Sequence, residues 1–179
     1  AVRFGSAELH TKLLKQCIER RSELTPGSYA TLLVACSYNQ RVVPVEFVEL
    51  LLENLPLITE HPSEKSKERW IPSGYRSLVA LGVDRSEVLD PLRDYCFEHL
   101  DRLSIPSICH LVHGFGHLSM PPKDDFATVE GELMKRMNSI SFDQAAHILN
   151  SFGSATEGSA EFYAVLQEKC EREFREANE

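Results

Sequence analysis

Three histidines, His110, His113 and His117, stand at i, i+3 and i+7 in one stretch of this sequence. On a helix that spacing puts all three rings on one face. Such a stripe can bind a metal, hydrogen-bond or stack on nucleobases, or form a polar face tucked against a neighbouring element. No carboxylate or cysteine completes a ligand set at the right spacing, so no metal is expected. Positions 37 residues further on carry His147, Asn150 and Ser154, and an earlier segment offers Thr31, Val34 and Tyr38. These residues, with Arg41 just beyond, define a candidate binding ridge of Tyr38, Arg41, His110, His113, His117, His147 and Asn150. An ordinary polar face remains the competing reading.

Other chemistry-bearing residues point away from catalysis. Cys17, Cys36, Cys96, Cys109 and Cys170 form no CxxC pair and each sits in an apolar helical pattern, as buried thiols in a reducing compartment do. Glu46 with Glu49 and Asp124 with Asp125 read as first-turn acids favoured by a helix dipole. The basic clusters Lys12–Lys15–Arg20–Arg21, Lys65–Lys67–Arg69 and Lys135–Arg136 are interleaved with acids, which favours solvated surface. There is no P-loop, dinucleotide fingerprint or G-x-S-x-G. No catalytic residue, enzyme activity or cofactor is expected.

The elements that must position the ridge follow from an internal repeat. Residues 103–139 and 140–176 match without a gap at an offset of 37: Leu103 with Ile140, Ser104 with Ser141, His110 with His147, Phe115-Gly116 with Phe152-Gly153, and Phe126 with Tyr163. Apolar residues at Ile108, Leu111, Val112 and Phe115 form one helical stripe, and Phe126, Val129, Leu133 and Met137 form another on a second helix. Gly116 and Gly153 fall where a helix end takes positive φ. Further copies begin at Leu24, where Thr25 caps and Pro26 fits the first turn, and at Trp70, where Pro72 opens a helix that Gly82 ends and Ser86 caps its partner. Residues 56–69 read as an inserted loop or a fraying helix extension. The expectation is an all-α, right-handed α-solenoid of helix-turn-helix repeats of about 37 residues, armadillo- or HEAT-like. It is a single unit over 1–179, with a partial repeat at 1–23 and repeats at 24–69, 70–102, 103–139 and 140–179.

Composition limits the partners. The chain carries 19 Lys+Arg against 27 Asp+Glu, a net charge of −8, which lowers the expectation of strong nucleic-acid binding. A local basic patch is still compatible with it. No apolar run reaches the roughly 20 residues of a membrane span. The start, "RFGS", looks like the "SFGS" at 151–154, so the chain is expected to be a fragment that begins inside a repeat.

The period, the "L-S … F-G" first helix and the Leu/Phe-rich second helix resemble the repeats of organellar RNA-metabolism proteins. The nearest groups are the heptatricopeptide and octotricopeptide repeat proteins, with the FAST-kinase-like and RAP-domain proteins carrying related arrays. The FG signature is similar to that of mitochondrial proteins of protists such as kinetoplastids and apicomplexans. No RAP domain is visible. The resemblance implies a non-catalytic mitochondrial module in RNA processing, editing or ribosome assembly, with protein subunits and single-stranded RNA as partners. The alternative is a pure protein scaffold of armadillo or HEAT type, without RNA contact and with a cytoplasmic location.

Overall fold

A computed structural model describes residues 7–38 and 43–176, and within them all side chains except those of 7–11 and 18. The described residues are helical and turn structure with no strand. Ten α-helices follow in order: α1 Ala7–Glu19, α2 Pro26–Ser37, α3 Val45–Glu53, α4 Pro56–Thr59, α5 Glu64–Ala80, α6 Ser86–Glu98, α7 Ile105–Phe115, α8 Lys123–Lys135, α9 Phe142–Ala155 and α10 Ala160–Glu176. No helix among the described residues is long and apolar enough to cross a membrane.

Helix starts divide into two kinds. Thr25, Ser63, Ser104 and Ser141 cap α2, α5, α7 and α9, each hydroxyl accepting from a backbone N–H three residues on. Ser141 and Gln144 complete a reciprocal capping box, as do Thr25 and Ser28. The starts of α3, α6 and α8 have no side-chain cap. The start of α10 is capped too, the Ser159 hydroxyl accepting from the Phe162 N–H at 3.1 Å. The most extensive contacts run between capped helices: α5 lies against both α2 and α7, and α7 against α9. Helices α6, α8 and α10 pack on α5, α7 and α9 respectively.

One continuous core results. Tyr29, Leu33, Phe47, Tyr75, Leu78, Ile108, Leu111, Phe115, Phe126, Val129, Phe152 and Phe162 are all buried. Tyr75, Phe115, Phe126, Phe152 and Phe162 form a chain of ring contacts with successive centroids 5.7, 5.5, 4.8 and 4.8 Å apart. Each contact lies in the range where tilted or edge-to-face rings attract.

Several local expectations are corrected. Residues 56–69 are not a loop: they hold α4 and the first turns of α5, which starts at Glu64 rather than near Trp70. Pro72 opens nothing and sits buried inside α5. The Ser63 cap and the burial of Ile71, Tyr75 and Leu78 hold the helix together through it, although the missing N–H removes one bond. Ser86 is the first residue of α6, not its cap. The residue before it, Arg85, instead ion-pairs with Glu49 of α3.

Neither Gly116 nor Gly153 has positive φ. Gly116 is αR, and a Cβ there would stand 3.1 Å from the Ser151 carbonyl oxygen, so the glycine serves close packing of α7 on α9. Gly153 lies inside α9, which ends instead at Thr156 with φ 58°. Gly82 does turn left-handed, at φ 80°, and Val83 N–H closes α5 on the Leu78 carbonyl at 3.0 Å. In the last hairpin Phe162, not Tyr163, takes the buried place of Phe126. Tyr163 is half-buried and donates to the Glu157 carbonyl at 2.7 Å.

Candidate functional site

Helices α2, α5 and α7 lie side by side and leave a groove of about 850 Å³ along them. Thr31 and Val34 line it from α2 and Tyr38 from the residue that ends α2, Lys65, Arg69, Trp70, Ser73 and Arg76 from α5, and Ser107 and His110 from α7. Arg102 closes one side. On α5 the residues Lys65, Arg69 and Arg76 recur at helical spacing, which brings three cations to one face. Glu68 is the only carboxylate in the lining, and it pairs with Arg102 at 3.5 Å. Lys65 and Arg69 have no ion-pair partner among the described residues.

Arg76 is the centre of the groove's chemistry. Its guanidinium donates to the Tyr38 hydroxyl at 3.2 Å and lies over the Tyr38 ring at 5.2 Å from the centroid, in cation–π range. It also meets His110 Nδ1 at 3.3 Å. Guanidinium nitrogens only donate, so His110 must accept there and carry its proton on Nε2. Arg76 Nε is buried without a partner among the described residues. All its recorded partners are neutral, so the positive charge is left uncompensated.

The structure brings two of the seven ridge residues into contact with Arg76. Tyr38 and His110 touch it directly. His113 rests 4.5 Å from the His117 ring, and its electrostatic neighbours are Arg76, His117, His110 and His147. Burial, reinforced by the Arg76 charge, pushes both His110 and His113 down to about 4. Both rings are therefore neutral at pH 7. His147 and Asn150 lie exposed on α9, and these two, half-buried His113 on α7 and exposed His117 just after it are all outside the groove lining. Arg41 lies outside the described residues.

The described residues include no group of three or more His, Cys, Asp or Glu side chains able to hold a metal. Cys36 and Cys96 are buried, and burial pushes both thiols up to about 12, while Cys109 reaches about 11. At neutral pH these thiols stay protonated and are poor nucleophiles. Asp125 is more than a first-turn acid: it is buried and gripped through two oxygens by Arg93 of α6, which also lies over the Phe97 ring.

Sequence reasoning missed Arg76, Arg69 and Lys65 as site residues. The signal was present in their helical spacing, but reading 56–69 as either a loop or a helix extension, and starting the next helix at Pro72, separates Lys65 and Arg69 from the helix that carries Arg76. Compared with known proteins, the chain matches no family model and no curated sequence.

Proposed function

We propose that the chain is a segment of a right-handed, armadillo- or HEAT-like α-solenoid whose α2–α5–α7 groove binds single-stranded RNA. The module is non-catalytic and holds RNA and protein subunits together within a larger assembly. Contact of α2, α5, α7 and α9 in chain order, each first helix on the next, supports the solenoid. The observation that carries the RNA reading is the groove's charge. Four cations meet one carboxylate there, in a chain whose net charge is −8. Random placement on so acidic a chain would give the opposite sign. A polyanion is drawn to such a groove and kept off the remaining surface. Trp70, Tyr38 and His110 add rings and hydrogen-bonding groups on which bases can settle.

A filter-binding titration of a single-stranded RNA across salt tests this. Three or four phosphate contacts give log K falling with log salt at a slope of about −2 to −3. The double change Lys65→Ala with Arg69→Ala lowers that slope by about 1.4 and weakens binding. Absence of binding at about 50 mM salt, where such contacts are strongest, sinks the reading.

The acidic surface outside the groove favours a second reading, a pure protein scaffold. In that case an acidic peptide, not RNA, would occupy the groove, and the same titration with peptide in place of RNA separates the two. Mitochondrial residence, with cytoplasm as the alternative, rests on the sequence resemblance and is tested by imaging the full-length protein in its own cell.

A further inference from the structure

The charged rim explains attraction of a polyanion, but it does not use the most unusual side chain in the groove. Tyr38 is 68% exposed at the C-terminal end of α2, yet its ring is not free to wander. Arg76 lies over it and binds its hydroxyl, while Arg76 is itself fixed on His110. A large exposed aromatic ring held in one orientation is a preformed platform. Ordering it costs nothing further when a ligand arrives. Beside it stands a guanidinium with no carboxylate partner, whose Nη1 and Nη2 each keep a second N–H for a phosphate once His110 and Tyr38 are served, while Nε stays buried.

We infer that Tyr38 and Arg76, braced by His110, form a single-nucleotide clamp in which the guanidinium takes a phosphate and the open side of the Tyr38 ring takes the adjoining base. The inference rests on the RNA reading of the groove and adds which strands the groove accepts. A base can lie on Tyr38 only if it is not already stacked between neighbours in a duplex. The clamp therefore admits single strands and rejects double-stranded RNA, although a duplex presents the same phosphates at higher charge density. Stacking is tolerant of base identity, since every base has a π-face, so the clamp sets strandedness rather than sequence.

Fluorescence anisotropy on the whole chain provides the test, using a single-stranded RNA decamer, the same strand with abasic sites, and a blunt RNA duplex. Tyr38→Ala is expected to weaken the intact single strand at least about five-fold and to leave the abasic strand unchanged. Tyr38→Phe keeps the ring and stays within about two-fold of the parent. Because Tyr38 is exposed, thermal melts of both variants should match the parent, and that comparison is made alongside. Two results would overturn the clamp while leaving the RNA reading intact: Tyr38→Ala binding the intact strand as tightly as the parent, or the duplex competing as well as the single strand. Failure of every RNA to bind at low salt removes the RNA reading and the clamp together.

Discussion

A methyl group at Gly114 would place a carbon 2.7 Å from the Tyr75 ring and 3.4 Å from the Arg76 Cα. Tyr75 is fully buried and edge-on to Phe115, so its ring has nowhere to retreat. Gly114→Ala is expected to cost about 1–3 kcal/mol in chemical denaturation by forcing α7 away from α5. At Thr156 the opposite holds. A β-branched residue at φ 58° is strained, so Thr156→Gly should raise stability by about 1 kcal/mol, and an unchanged or lower melting temperature would remove strain as a factor. The two histidines give a pH signature. Their folded values, about 4, lie below the ordinary value of 6.5. As pH falls from about 6.5 to 4 the unfolded chain takes up protons that the folded chain refuses, so stability is full above that window and is lost within it. Replacing His113 with Gln should flatten part of that decline in melts recorded across pH. The sequence showed where these histidines stand, but not that Arg76 meets His110 from 34 residues away.

Between helices, a few polar links fix how hairpins sit on each other. Arg93 of α6 grips Asp125 of α8, and Arg136 reaches back to the Leu103 carbonyl at 2.7 Å. Removing the Asp125 carboxylate leaves the Arg93 guanidinium over Phe97 with Asp94, 3.1 Å from Nη1, as its remaining carboxylate. Asp125→Ala should cost about 2–3 kcal/mol, less than the loss of a fully buried pair because the Arg93 side chain is 35% exposed. Double-mutant cycles with Arg93→Met would give a coupling near zero if the pair were only decorative. Most element types were legible, because the 3.6-residue stripes and the Ser and Thr caps are local signals. What failed was register. A proline usually opens a helix, so Pro72 drew the start of α5 too far along, and the spacing between copies looked irregular. Ser77, Gly114 and Ser151, each buried and 37 residues apart, keep a constant count through all three helices. Phe162 was missed for a related reason: a gapless match cannot accommodate a one-residue shift between hairpins.

At the scale of the molecule, where the cations lie matters more than how many there are. Lys65, Arg69 and Arg76 share one groove without an ion-pair partner among the described residues, whereas Lys67 is neutralised by Glu64 and Lys169 by Glu173. Net charge could not reveal this, since a sum erases position. The groove is also a three-helix feature, made by side chains from α2, α5 and α7 that only packing brings together. The same geometry supplies a convenience for anyone working on this protein. Trp70 is the only tryptophan of the chain, and it lines the groove with His61 edge-on at 5.1 Å. Its indole emission is therefore an unlabelled optical gauge of this one surface. An occupant of the groove would shift or quench that emission, whereas a molecule bound elsewhere on the surface would leave it unchanged.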